Sequence, residues 1–163
     1  MYKRQSSFQA IEAPIREEGE AIDAEALQRI FDATQGYPYY LQEWGKQVWD
    51  IAEVSPMSVE DVEQATERAI AGLDAGFFRV RLDRLSPKEQ EYVYAMAELG
   101  KPPYRSKDIA EKLGCEITKL GPARANIIHK GMAYSPSHGD IAFTVPMFEG
   151  FLNRERERNK SIL

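Results

Sequence analysis

Apolar side chains recur at helical spacing along nearly all of this chain, and the period changes once. Over "MAYSPSHGDIAFTV", Met132 to Val145, the three-to-four-residue spacing gives way to two short strand-like runs. These are "MAYS" and "IAFTV", joined by "PSHG", which is turn chemistry. One hairpin among helices makes the class mainly α and leaves the order of the helices around it to decide the fold.

The helices carry their own punctuation. "IDAEALQRIFDATQG" is amphipathic, with Asp23 placed to cap it, Ala26, Leu27, Ile30 and Phe31 on one face, and Gly36 as the residue just past its end. Pro38 suits the first turn of the next helix, where its missing N–H is not needed; Leu41, Trp44, Val48 and Ile51 line one side. Ser58 and Asp61 form a capping box, and a further helix is expected through "AGFFRVRLDRL", with Phe77, Val80 and Leu85 apolar. Residues 22–84 thus read as a four-helix group. Ahead of them, "SFQAIEAPIREEG" reads as a short helix interrupted at Pro14 and followed by an acidic loop, an opening that looks like the start of a fragment.

The next segment starts strongly: Ser86 as cap, Pro87 in the first turn and Glu89 closing the box. "RSKDIAEKLG" follows, with Ser106 as cap and Gly114 as terminator. In "EITKLGPARANIIHKG" the stripe of Ile117, Leu120, Ala123 or Arg124, Ile127 and Ile128 gives a helix; with Thr118 as its cap, Pro122 lies in the first turn. After the hairpin, "PMFEGFLNRERERN" ends the chain as a helix with a solvated, charged tail.

Composition narrows the function classes. No apolar run approaches the roughly 18 residues of a membrane span. The single cysteine, Cys115, excludes an internal disulfide, and His129 and His138 are the only histidines, so no metal site is expected and a reducing, cytoplasmic setting fits. The net charge is −5 and unevenly spread: residues 1–82 balance to −7, 83–146 to +1 and 147–163 to +1. The change near Asp83 suggests two domains, 1–84 and 85–163, of which only the second escapes repulsion by a phosphate backbone.

Three helices followed by a hairpin, within Ser86–Val145, is the order of a winged helix-turn-helix. Its third helix is the recognition helix and "YSPSHGDIAF" the wing. Lys119 and Arg124 fall on or near the face opposite the apolar stripe. Arg105 and Lys107 sit at the start of the second helix, where phosphate contacts are common, and His138 lies at the wing tip. These five are the candidate nucleic-acid contacts. A winged helix is equally a protein-docking unit, and a balance of +1 is low for a dedicated DNA binder. Lys119 and Arg124 read as well as solvated helix residues.

Catalytic patterns are missing. Gly45-Lys46 and Gly100-Lys101 lack the preceding glycine and following hydroxyl of a phosphate loop, and Cys115 has no evident base partner. His129, late in its helix, reads as a surface residue near the helix end.

"ATQGYPYYLQEWGKQVWDIA", "LSPKEQEYVYAMAELG", "SKDIAEKLG" and "ARANIIHKGMAYSPSHGDIAFTVPMFEGFL" together resemble the C-terminal part of bacterial P-loop ATPases of the AAA type, relatives of the signal-transduction and origin-recognition ATPases. The resemblance runs from about Phe8 to Arg154. It implies a helical lid bundle followed by a winged helix with a two-stranded wing. In such ATPases a Gly-x-Pro turn of the lid, here Gly36-Tyr37-Pro38, lies near the adenine of the bound nucleotide, and nucleotide state sets the lid angle. Of Tyr37, Tyr39 and Tyr40, at least one is expected in the core. The family's phosphate loop and magnesium acid have no counterpart in these residues. The chain is therefore expected not to hydrolyse ATP by itself, and to meet ATP or ADP only together with an ATPase core. Expected partners are that core, double-stranded DNA or a protein, and no membrane. The chain is read as the rear piece of a longer protein.

Overall fold

A computed structural model of the protein describes residues 3–161; the outer ends of the two expected domains, 1–2 and 162–163, lie outside the described residues. The described chain is mainly helical with one small antiparallel sheet, as the spacing implies. It forms two compact units, which divide between Leu73 and Asp74. The charge-based division at 84/85 falls later in the chain.

The first unit contains α1 (Arg4–Glu17), α2 (Ala24–Thr34), α3 (Pro38–Ile51) and α4 (Val59–Gly72). Here the expected opening is corrected: α1 is one helix, and Pro14 sits in its last turn without breaking it. A proline there removes only one intrahelical bond, and Ile11 and Ile15 on either side of it are buried and hold the helix down. The core is the set of periodic residues: Ala26, Leu27 and Ile30 of α2, Leu41, Trp44 and Val48 of α3, Val62, Ala65 and Ala69 of α4. Trp44 is fully enclosed, and its indole N–H donates to the Thr66 hydroxyl at 2.9 Å, the partner a buried tryptophan requires. Ser58 and Asp61 form the reciprocal capping box that their spacing predicts. Asp23 occupies the cap position of α2, but its side chain makes no capping bond.

Between α4 and α5 (Arg79–Asp83) the chain makes a π-helical turn, Leu73–Phe78. The expected uniform helix placed Phe77 and Val80 on the apolar face. Instead Phe78 and Leu82 are buried and Val80 is exposed, because a wider turn spends an extra residue and shifts the helical face that follows it; Leu85 is buried as expected.

The second unit continues with α6 (Pro87–Glu98), β1 (Tyr104–Arg105), α7 (Ser106–Lys112), a 3-10 turn (Ile117–Leu120), α8 (Gly121–His129), β2 (Ala133–Tyr134), β3 (Asp140–Phe143) and α9 (Phe148–Ser161). This is winged-helix order. The wing is the expected β2–β3 hairpin, paired Ala133↔Phe143 and Tyr134↔Ala142. A third strand joins it: β1 pairs antiparallel with β3, Tyr104↔Ile141 and Arg105↔Asp140, so the sheet order is β1-β3-β2. Two residues are too few to leave a periodic signal. The cap of α8 differs too: Thr118 lies inside the 3-10 turn and Leu120 occupies the cap position, although Pro122 keeps its place in the first turn.

The core of this unit gathers Tyr92, Val93 and Met96 of α6 with Ile109, Ile127, Ile141 and an aromatic cluster. In that cluster Phe78, Phe148 and Phe151 stand 5.4–5.9 Å apart between ring centres. The tail of α9 is not the solvated run its charges suggest. Arg154 grips the buried Asp74 with two bonds, 2.8 and 2.7 Å, and Arg158 reaches both Asp74 and the buried Glu155. Arg79 pairs with Glu155, and Arg156 with Glu98. Charged residues at helical spacing became pairs once α9 met the carboxylates of the preceding helices.

Candidate nucleic-acid interface

Two surfaces carry the sequence-derived site residues, one in each unit. In the first, the corner between α2 and α3 is built by backbone geometry. Gln35 and Gly36 both adopt left-handed conformations, φ 53° and 71°, a region glycine enters without strain. Thr34 steadies the corner: its hydroxyl donates to the Ile30 carbonyl at 2.8 Å and accepts the Gly36 N–H at 3.2 Å. Tyr37 then occupies the cap position of α3, without a side-chain capping bond, and Pro38 begins the helix. Tyr40 is the core tyrosine, fully buried with its ring 4.6 Å from that of Tyr37, whereas Tyr39 is half exposed. Gly36, Pro38 and Leu41 line a cavity of 340 Å³ against Ser6, Ser7 and Ala10 of α1. The corner thus presents a stiff apolar edge to open space. Tyr37 does not line it.

The second surface is the winged face. The β1–β3 pairing sets it, because Arg105 lies opposite Asp140 and the Ser106 N–H donates to the Gly139 carbonyl at 2.8 Å. The wing tip is thereby fastened to the start of α7. Arg105, Lys107 and His138 flank this junction and are all exposed, and Lys119 is exposed on the 3-10 turn. Beside His138 lies a cavity of 290 Å³ lined by Tyr92, Ser106, Leu120, Arg124 and Ser135, among others.

Arg124 has a different place from the other four. It is half-buried, and its Nη2 donates to the Ser135 hydroxyl and the Asp140 carbonyl, both at 2.9 Å. It pins the wing to α8. The outward positions of α8 are then Pro122, Ala125 and Asn126, with His129 near its end, which offers few donors to base edges.

Two contributors went unnoticed in the sequence. Tyr92 reads simply as a core position of α6. Ser106 reads as a helix cap, but Arg105 occupies that position and Ser106 opens the helix. A serine with capping spacing that caps nothing is the signal that the structure supplies.

Elsewhere in this unit, Glu89 is buried and takes the Ser86 N–H at 2.8 Å and the Lys130 ammonium at 2.6 Å. The Lys130 bond holds its carboxyl below the usual carboxylate range against the opposing effect of burial. Among the described residues, no cluster of His, Cys, Asp and Glu is placed to hold a metal, and no helix is long and apolar enough to cross a membrane.

No curated protein sequence matches the chain. Among solved structures it is similar to point variants of RuvB from Thermotoga maritima. One is 15% identical with a TM-score of 0.44, covering 86% of this chain and 46% of that one. Another is 16% identical with a TM-score of 0.45 and the same coverage. The chain spans less than half the length of those proteins. A family model described as a domain of unknown function (DUF8462) matches residues 75–152, a span that lies within the second compact unit.

Proposed function

We propose that the chain is the C-terminal regulatory part of an AAA-type ATPase, and that its winged-helix unit engages the backbone of double-stranded DNA. The observation that carries the DNA reading is the β1–β3 register, which joins the wing tip, with the exposed His138, to the start of α7, with the exposed Arg105 and Lys107; the 3-10 turn that carries the exposed Lys119 borders the same cavity as His138. Phosphate contacts position a protein on a duplex without reading sequence, and a group of exposed cations is suited to that. With Arg124 committed to the wing, base-specific contact is minor and the sequence preference weak. The Gly36–Pro38 corner supports the lid half of the reading. Its rigid apolar edge beside an open cavity is what a lid bordering an adenine requires, and ATP or ADP would be held only with a core that supplies the phosphate loop. The chain by itself carries no hydrolytic activity in this reading.

Fluorescence anisotropy on a short duplex tests it. Three exposed cations predict a salt slope of about −2.7 in log K against log salt, reduced by about 0.9 for each of Arg105→Ala, Lys107→Ala and Lys119→Ala. Binding without a salt slope, or unaffected by all three changes, refutes it. One observation favours a second reading, docking to a protein: Ile117 and Tyr134 of the winged unit are each about half exposed. Association with a purified ATPase core, lost on Tyr134→Ser with duplex binding absent, would select that reading instead.

A further inference from the structure

The winged unit contains two hydroxyl groups that no protein atom satisfies. Tyr92 is fully buried and Ser106 is 7% exposed, and neither the phenol oxygen of one nor the hydroxyl oxygen of the other has a hydrogen-bond partner among the described residues. Burial raises the Tyr92 phenol above its ordinary value and the nearby Ser106 hydroxyl partly opposes that, yet the two form no bond of acceptable geometry. Buried hydroxyls are nearly always paired, so an unpaired couple on separate helices calls for an external acceptor.

Both residues line the 290 Å³ cavity of the winged face. That volume is far above the roughly 30 Å³ share of one water and just below the ~300 Å³ at which ligand pockets begin. It has room for one chemical group with its immediate surroundings, not for a whole cofactor. Arg124 supplies a positive charge to the wall, and Ile117 and Leu120 supply an apolar side. The acids next or near in sequence to the lining residues are Glu91, Asp108 and Glu116, all exposed, and Asp140, whose carboxylate is held by the Ser137 hydroxyl at 2.6 Å. The three donors come from α6, α7 and α8. A tetrahedral anion, with oxygens spread in three dimensions, suits donors that converge from three elements.

We propose that this cavity seats one phosphate group, with the Tyr92 and Ser106 hydroxyls donating to its oxygens and the Arg124 guanidinium as counter-charge. The source assigned here is a nucleic-acid strand lying along the winged face, so the inference rests on the DNA reading above. The cavity would fix the register of the strand while the exposed cations supply attraction. A free phosphate is the other source of the same chemistry.

The full chain and its Tyr92→Phe and Ser106→Ala variants decide the matter. Each change removes a hydroxyl that nothing in the protein uses, so folding should survive, and thermal unfolding verifies that. Inorganic phosphate, compared with chloride at matched ionic strength, should raise the melting temperature of the wild type and not of the variants. Duplex binding should weaken by about tenfold or more in each variant, the worth of one hydrogen bond to a charged acceptor, and phosphate should displace the duplex better than chloride does. If phosphate binds the wild type selectively but no duplex binds, the cavity stands with a free phosphate as its ligand and the DNA reading falls. If the duplex binds wild type and variants equally and phosphate has no specific effect, the cavity is no phosphate seat, while the DNA reading survives.

Discussion

Replacing Lys130 with methionine should destabilise the winged-helix unit measurably and in a pH-dependent way. Lys130 follows α8, and its ammonium reaches two acceptors, the Glu89 carboxylate at 2.6 Å and the Arg84 carbonyl at 3.0 Å. The Glu89 side chain is 4% exposed and that of Lys130 37%. A hydrogen bond to a charged group contributes about 1.5–3 kcal/mol, and breaking a fully buried pair costs about 3–5 kcal/mol. Solvent screening at the half-exposed ammonium and the surviving Ser86 N–H bond bring the expected loss to the lower end, about 1.5–2 kcal/mol. For a unit of this size that is a fall of about 6–15 °C in its melting temperature. The carboxyl of Glu89 is held below its ordinary value of 4.5, with the Lys130 bond as the largest cause. The pair therefore contributes in full above the unfolded value and is lost as pH falls through the folded one. The difference between wild type and Lys130→Met should narrow steadily once the pH drops below 4.5. Calorimetry or circular-dichroism melts of wild type, Lys130→Met, Glu89→Gln and the double variant give the coupling energy directly. A coupling below about 0.5 kcal/mol at neutral pH, or a difference that stays constant into acid, would refute the assignment.

Gly36→Ala should cost the first unit about 1–2 kcal/mol, because the residue sits at φ 71° where a Cβ meets the following carbonyl; an unchanged melting temperature would show that the corner relaxes freely. Arg124→Ala should loosen the wing by about 1–2 kcal/mol through two lost hydrogen bonds. Hydrogen exchange of residues 135–140 should quicken accordingly. Unchanged exchange together with altered sequence preference on DNA would instead return Arg124 to a base-reading role.

Most of the secondary structure was legible in the chain because it rests on local physics. Capping boxes at Ser58–Asp61 and Ser86–Glu89, the proline at the start of α3 and the single change of period are short-range rules that tertiary packing had no reason to override. The winged-helix order and the buried faces of α2 to α4 follow from the same spacing. Elements whose cause is distant were not legible. The two-residue β1 exists only because β3 lies beside it, and the π turn at Leu73–Phe78 shifts the buried face by one position for reasons of packing, not propensity. The charged tail of α9 became a set of pairs because Asp74 and Glu98 are held where its arginines arrive and Arg79 meets its Glu155.

The candidate site divides along the same line. Sequence alone selected Gly36, Tyr37 and Pro38 as a corner, and Arg105, Lys107, Lys119 and His138 as available cations, since residue type and position near a helix start or turn suffice for that. Only the folded chain turned Arg124 inward and joined the wing tip to α7. Only the folded chain put Tyr92 and Ser106 in the wall of one cavity. Whether a polar group is free or committed depends on which atoms surround it, and those atoms come from helices and strands far apart in the chain.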